Sequence, residues 1–393
     1  MSKLYLQKNL QLIFGVTLMM VLGVSSIIPV LPAVMREMGV SAGSIGLLIT
    51  MFTLPGVVLT PFLGILADRW GRKKVLVPAL MVFGIFGTAC AFVHTWKVLL
   101  FFRFLQGSGA AALGVINVTL IGDLYSGRER TSAMGYNASV LSLGTAIYPA
   151  VGGGLAVLGW NYPFLLPIIA IFLGLVIIFK LENPEPKAKP TLGKYFADAL
   201  LELRQRQMFG LLLATLITFI LLYGPFITYL PVLMDNKFHV SAPKIGLLIS
   251  LASISSAIVA SQLGRLALFF SESAQVKTAF LLYALSCLLI PLLPSFRSLA
   301  LPALLFGCAQ ALAIPNVMTL LTGLVSMQNR AALMAVNGTV LRLGQTLGPM
   351  LMGLLYTFGG TRIVFWSGTA LALAMFFAGL IFIRFDKQTE LET

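Results

Sequence analysis

The chain has 393 residues, of which 58% are hydrophobic and only 10% are charged. A soluble domain carries about 25% charged residues, so this composition excludes a soluble globular protein. The formal net charge of +14 does not require nucleic acid, because the basic loops of a membrane protein rest against anionic lipid head groups. We therefore expect an integral membrane protein that contacts lipid and binds no nucleic acid.

Long apolar runs recur along the whole chain, separated by charges and by Gly/Pro pairs. The run LQLIFGVTLMMVLGVSSIIPVLP, for example, is long enough to cross a hydrocarbon core, which takes about 20 residues in a helix. The pattern predicts an all-α membrane protein with twelve transmembrane helices in two groups of six. The spans are expected near residues 11–32, 45–66, 75–93, 98–120, 133–157 and 162–180, and near 209–232, 245–264, 277–293, 298–322, 333–357 and 362–383.

Lysine and arginine are distributed unevenly between the two ends of these spans. With the N-terminus inside, nineteen basic residues fall in inner segments and six in outer loops, and cytoplasmic loops carry such an excess. Both termini are therefore predicted to be cytoplasmic. The first apolar run is too long for a cleavable signal and lacks a small-residue cleavage pattern, so we expect it to remain as the first helix.

The long polar stretch at residues 182–208 is predicted to be a cytoplasmic linker. It would join an N-terminal six-helix bundle at 1–181 to a C-terminal bundle at 209–393. Within the linker, Phe196 and Leu200 share one side of a helical pattern. Two interpretations remain open for this part, an amphipathic helix lying along the membrane surface and a solvated helix.

The cysteines and histidines occur singly and form no metal-binding or redox spacing. They are Cys90, Cys287, Cys308, His94 and His239. We expect no metal and no cofactor. A membrane enzyme or receptor would need clustered nucleophiles, metal ligands or an appended signalling domain, and the sequence contains none of these, so we do not expect an enzyme.

Two segments of the chain are nearly identical. Residues 40–50 read VSAGSIGLLIT and residues 240–250 read VSAPKIGLLIS, with eight of eleven positions the same. The same offset of 200 pairs Gly107 with Gly307, Asn137 with Asn337, Gly144 with Gly344 and Pro149 with Pro349. We infer one six-helix unit used twice. Both copies start and finish inside, so they are parallel repeats, an arrangement found in transporters that work by alternating access.

The loop between the second and third spans, GILADRWGRKKVL at residues 64–76, resembles the loop motif of the major facilitator superfamily. The stretches LGVSSIIPVLP, RFLQGSGAA and GTAIYPAVGGG, in the first, fourth and fifth spans, resemble helix motifs of its twelve-helix drug/proton antiporters. The resemblance covers essentially the whole chain. It implies a monomeric multi-pass exporter of the bacterial cytoplasmic (inner) membrane whose partners are a small hydrophobic compound and protons.

Gating candidates come from the loop motif and from the Gly/Pro runs of the fifth and eleventh spans, which favour close packing and bends. Asp68 can pair with Arg72 or lie at the positive N-terminus of another helix. The resemblance implies that this contact latches the inner gate; the alternative is a turn whose cations only fix topology. The candidates are Gly64, Asp68, Arg69, Gly71, Arg72, Lys73, Asp123, Gly144, Pro149, Gly348 and Pro349.

Cavity candidates come from polar and aromatic residues within spans. Arg103 costs at least about 2.5 kcal/mol near the bilayer centre unless it faces protein or water, so it is expected to point inward. The alternative is a buried tether that donates to backbone carbonyls. Arg342 has no counterpart in the first copy and is predicted at the site, or else reaching toward an interface. The candidates are Arg103, Gln106, Asn117, Tyr148, Phe219, Tyr223, Arg342 and Gln345.

None of the thirteen acidic residues falls in the middle of a predicted span. Proton coupling therefore rests on the resemblance, with Asp68 and Asp123 as the best proton carriers. Two arginines without an acid favour neutral or anionic amphiphiles over lipophilic cations. The alternative to a coupled exporter is an uncoupled facilitator, or a lipid or metabolite flippase, of the same fold.

Overall fold

The structure is a computed structural model that describes residues 4–182, 205–325 and 330–383. Within these ranges the chain is helical and contains no β-strand. Ten helical segments of the described ranges are long and apolar enough to cross a membrane. The prediction of an all-α, multi-pass membrane protein is confirmed. Residues 183–204 of the predicted linker, which include its proposed surface helix, lie outside the described ranges.

Eight α-helices lie within the described residues 4–182. They are α1 (Lys8–Ser25), α2 (Leu31–Met38), α3 (Ala42–Ile45), α4 (Leu47–Trp70), α5 (Arg72–Ala89), α6 (Trp96–Leu124), α7 (Gly127–Leu155) and α8 (Ile168–Lys180). Proline explains the break between α1 and α2, because Pro29 and Pro32 each lie in the first turn of a new helical segment, where the missing N–H costs nothing.

Seven α-helices lie within the described residues 205–325 and 330–383. They are α9 (Arg206–Leu221), α10 (Leu230–Phe238), α11 (Ala242–Ser261), α12 (Leu263–Leu266), α13 (Glu272–Leu289), α14 (Ala300–Gly323) and α15 (Arg330–Phe382). A wide π-type turn, Leu222–Tyr229, joins α9 to α10 and contains Pro225. Such turns are rare and are often found at functional sites.

The ten segments differ from the twelve predicted spans in two places. The eleventh and twelfth predicted spans are joined in α15, which is interrupted only at Gly359 and Gly360. Gly360 has φ +65°, a conformation that favours glycine, so the chain can bend there. The ninth predicted span corresponds to α13, whose 18 residues begin with Glu272 and which is not among the ten segments.

The chain divides into two compact units. The first consists of Met1–Pro190 with Ile227–Ser250. Inside it α4 packs on α6, α5 packs on α6 and α8, and α1 packs on α7. Glycines allow the closest approaches: Gly107 of α6 lies against the backbone of Phe52, and Gly109 lies against the backbone of Ala79.

The second unit consists of Thr191–Phe226 with Leu251–Thr393. Inside it α9 packs on α14 and α15, and α13 packs on α14 and α15. Gly307 lies against the backbone of Ala252, as Gly107 lies against Phe52 in the first unit. Both members of this contact are displaced by 200 residues between the units, so the offset found in the sequence is reproduced in the packing.

We expect Gly107→Ala to destabilise the protein by about 1–3 kcal/mol, because the added methyl group would overlap the carbonyl of Phe52. The measurement is the Tm of the purified protein in detergent. Gly135→Ala is the control, since a Cβ there meets nothing within 4 Å and alanine is the better helix former. Equal Tm values for the two variants would contradict the close packing of α4 and α6.

Candidate substrate and gating sites

Three charged residues meet at the predicted inner end of the first unit. Arg72 forms ion pairs with Asp68, one turn earlier, and with Asp123 near the end of α6, where Nε lies 2.9 Å from Oδ2. Gly71 precedes it with φ +99°, which a side chain would strain. The predicted Asp68–Arg72 pair is present, and Asp123 joins it. Its role as a gate latch stays a prediction.

The other residues of the loop motif are placed less tightly. Lys73 donates to the carbonyl of Leu181 at 3.3 Å, while Arg69 is exposed. Gly64 lies beside Val115 of α6. Arg72, through its two ion pairs, ties α4, α5 and α6 together.

Tyr125 lies at the same end, between α6 and α7, with a buried hydroxyl that has no hydrogen-bond partner in the described ranges. Burial raises the pKa of Tyr125 above its ordinary value, and the nearby charges of Glu129 and Glu182 raise it further. An acid whose folded pKa is raised contributes fully to stability below its unfolded pKa, about 10, and loses that contribution as pH rises through the folded pKa. Tyr125 therefore stays neutral at ordinary pH.

Arg103 is completely buried in the first unit. Its Nε donates to the carbonyl of Leu48 at 3.2 Å, and its Nη1 donates to the carbonyl of Gly23 at 3.0 Å and to Oε1 of Gln106 at 2.6 Å. The guanidinium also lies 4.3 Å from the ring centroid of Phe52. This is the geometry of the buried tether that was the alternative prediction for Arg103.

Asn117, predicted on the same polar stripe, belongs to a separate network. Its Nδ2 donates to Thr17 of α1 at 2.6 Å, and its Oδ1 accepts from Asn137 of α7 at 3.0 Å. Thr17 in turn donates to Asn137. Thr17 and Asn137 were not among the site residues predicted from the sequence, although the pairing of Asn137 with Asn337 at the repeat offset was a usable signal.

The second unit brings four of the predicted cavity residues together. Nη1 of Arg342 donates to Oε1 of Gln345 at 3.2 Å, and Nε2 of Gln345 donates to the hydroxyl of Tyr223 at 3.0 Å. The rings of Tyr223 and Phe219 have centroids 6.4 Å apart. Arg342 is half-buried, and none of the ion pairs of the described ranges involves it. The cluster can therefore offer a positive charge to a bound anion.

The Gly/Pro runs occupy helix crossings. A Cβ on Gly348 would lie 2.8 Å from the carbonyl oxygen of Ile220, so this glycine lets α15 approach α9. Gly144 lies beside Leu18 of α1 and next to the ring of Tyr148, which is half-buried. Pro149 and Pro349 are buried inside α7 and α15.

A set of contacts inside the first unit joins residues 227–250 to the first repeat. The carbonyl of Pro149 lies against Gly246, and a Cβ on Gly153 would lie 2.6 Å from the carbonyl oxygen of Ala242. Arg36 and Asp235 form an ion pair. This pair was not predicted from the sequence, because nothing in the spacing of two isolated loop charges connects them.

Comparison with known proteins agrees with this architecture. The model of the Major Facilitator Superfamily matches residues 13–267 and 226–392. The chain is 25% identical over 342 residues to Multidrug resistance protein 2 of Bacillus subtilis (strain 168), covering 85% of each. It is 26% identical over 402 residues to the Bacillibactin exporter of the same organism, covering 98% of each.

The fold has a counterpart among solved structures. The nucleoside transporter NupG superimposes with a TM-score of 0.80 at 14% identity, covering 97% of this chain and 100% of that one. At this identity the likeness concerns the fold alone. Because the family model spans nearly the whole chain and the helices follow its repeated architecture, the protein belongs to the major facilitator superfamily, as a drug-efflux-like transporter.

Proposed function

We propose that the protein is a secondary transporter that exports small hydrophobic or amphiphilic compounds, neutral or anionic, from the bacterial cytoplasm by alternating access. The observation that carries this proposal is the half-buried Arg342, which is held by Gln345 and forms no ion pair within the described ranges. A charge retained in a membrane protein without a neutralising acid marks a functional site by default. Its positive field attracts anions and repels lipophilic cations.

The names of the relatives support the direction and the breadth of the substrate range. One relative is named a bacillibactin exporter, which supports export, and another a multidrug resistance protein, which supports a broad substrate range. We further propose twelve membrane spans with both termini cytoplasmic, arranged as bundles at residues 1–181 and 209–393 in the cell inner membrane. The transporter would act as a monomer, with Asp68, Arg72 and Asp123 at the inner gate.

A matched set of fluorescent probes tests the substrate class. Everted membrane vesicles with an acidic interior are given phenylnaphthylamine, which is neutral, anilinonaphthalene sulfonate, which carries a negative charge on the same ring system, and ethidium as a cation. We expect accumulation of the first two above the level of vesicles without the transporter. Accumulation of ethidium alone would contradict the proposal.

Proton coupling is tested in the same vesicles. We expect a transported probe to raise the internal pH as protons leave, and Asp123→Asn to abolish this signal, because Asp123 is a partly exposed carboxylate whose partner Arg72 connects it to Asp68. The readout is a pH-sensitive dye trapped inside. Glu129→Gln, an exposed acid in the first turn of α7, is the matched control and should leave the signal intact.

An uncoupled facilitator or flippase is the second candidate, and one observation favours it. Every acidic residue of the described ranges lies near a helix end or outside a helix, whereas a proton relay within a membrane commonly uses buried carboxylates. Probe movement without any change of internal pH, in the wild-type protein, would place this candidate first.

A further inference from the structure

A small pocket opens inside the second unit, between α9, α14 and α15. Its wall includes Thr215, Thr218, Phe219, Val317, Met318 and Asn337, and it encloses about 10 Å³, which is about the space that one water-sized group occupies. The pocket therefore suits one group of a ligand, and the flexible Met318 side chain lets its size adapt.

The equivalent place in the first unit is closed by hydrogen bonds. There Asn117 lies between Thr17 and Asn137, donating to one at 2.6 Å and accepting from the other at 3.0 Å. These three side chains satisfy one another's hydrogen-bonding groups. The hydrogens that they donate are accepted by oxygen atoms, which are strong acceptors. The first repeat therefore needs no further partner at this position.

The second unit repeats only part of this network. Thr215 donates to Oδ1 of Asn337 at 2.8 Å, which matches the Thr17–Asn137 bond. The residue 200 positions after Asn117 is Val317, which cannot bridge them. Instead, Nδ2 of Asn337 donates to the sulfur of Met318 at 3.4 Å, and a thioether is a weak acceptor.

Thr218 provides a second, independent sign of a missing partner. Its side chain is 2% exposed and lines the pocket, yet its hydroxyl has no hydrogen-bond partner in the described ranges. Buried polar groups without partners are few in native proteins, and each calls for an explanation such as a bound group. Two polar groups on one pocket wall, Thr218 and Asn337, can thus accommodate a better acceptor.

We propose that this pocket is a subsite that receives an uncharged hydrogen-bond acceptor, such as an aryl ketone or amide, carried by the transported compound. The acceptor oxygen enters the pocket and takes the hydrogens of Thr218 and Asn337, while the ring that carries it stays outside the pocket. No charged side chain lines the pocket, so an ionised group would lose its hydration without compensation. The inference rests on the proposed function and specifies a substrate feature for it.

The test compares two competitors that differ by one carbonyl. Propionyl-dimethylaminonaphthalene carries a ketone and dimethylaminonaphthalene lacks it, and each is added to vesicles that transport anilinonaphthalene sulfonate. In the wild-type protein we expect the ketone to inhibit at a concentration about 3- to 10-fold lower, the effect of one or two hydrogen bonds. Thr218→Val should remove this preference by weakening inhibition by the ketone while leaving inhibition by dimethylaminonaphthalene unchanged.

Two further variants separate the subsite from general damage. Val317→Asn introduces the residue that stands at the equivalent position of the first repeat, Asn117. It should fill the pocket, keep the fold and abolish the ketone preference. Thr319→Val is the control, because Thr319 is exposed and its hydroxyl already donates to the carbonyl of Pro315 at 3.1 Å. It should behave as the wild-type protein.

The outcomes distinguish the two proposals. If no compound of the probe set moves in the wild-type vesicles, the proposed function fails and the subsite fails with it. Transport in which both competitors inhibit equally, or in which neither inhibits, would overturn the subsite and leave the proposed function standing. The same holds if Thr218→Val weakens inhibition by both competitors to the same extent.

Discussion

Replacing Arg342 with glutamine is expected to lower kcat/KM for anilinonaphthalene sulfonate about 10- to 100-fold, while transport of neutral phenylnaphthylamine stays unchanged. A hydrogen bond to a charged group contributes about 1.5–3 kcal/mol, and each 1.4 kcal/mol corresponds to about a factor of ten. Glutamine keeps a polar side chain of similar length, so the difference between the two probes reports the charge of Arg342.

The fold should survive this change, because Arg342 is half-buried and, within the described ranges, its side chain donates one hydrogen bond, to Gln345. Arg342→Lys is the matched control: it keeps the charge but loses the planar fork, so we expect an intermediate loss of sulfonate transport. Gln345→Glu should shift the preference toward ethidium by placing an acid beside Arg342. Unchanged sulfonate transport in Arg342→Gln, at normal protein levels, would show that Arg342 does not bind the anionic substrate.

Replacing Arg103 with alanine is expected to cost about 3–5 kcal/mol and to remove most folded protein from the membrane. Arg103 is among the largest fully buried side chains, and its deletion leaves a cavity, for which truncations of this size cost several kcal/mol. It also removes the donor that Gln106 accepts from. The measurement is the Tm in detergent together with the yield of monodisperse protein.

Arg103→Met separates packing from hydrogen bonding. Methionine refills most of the volume and keeps contact with the ring of Phe52, but it donates nothing to Gly23 or Leu48. Because replacing a buried charge by an apolar side chain can be close to neutral, we expect this variant to recover about half of the lost Tm. If Arg103→Ala instead has the wild-type Tm and lacks transport, Arg103 acts on substrate directly.

Much of the architecture could be predicted from residue patterns alone. Apolar runs of sufficient length predict membrane helices because the bilayer core leaves no other partner for the backbone. The offset of 200 predicted the repeat, and the matched contacts of Gly107 with Phe52 and Gly307 with Ala252 follow it. The pair Asp68–Arg72 was also predictable, since the two opposite charges lie only four residues apart in the loop motif.

The candidate sites were predicted less completely, for a reason that Arg103 and Arg342 illustrate. Both are single arginines in apolar spans with a glutamine three residues later, so helical periodicity treats them alike. In the structure, backbone carbonyls from α1 and α4 surround Arg103, whereas Arg342 meets Gln345 and stays half-buried. Periodicity assigns a side chain to a helix face, but it does not say what the neighbouring helices place opposite that face.

The sequence by itself therefore determined the class of protein, the membrane helices, the repeat and the local pair at the end of α4, because each depends on composition or on short-range spacing. The tertiary structure decided which polar side chains have hydrogen-bond partners. In the first unit, Thr17, Asn117 and Asn137 hydrogen-bond to one another. In the second, the hydroxyl of Thr218 has no hydrogen-bond partner in the described ranges. Hydrogen-bond partners from distant segments are set by how the helices pack, and that packing is where the two repeats differ.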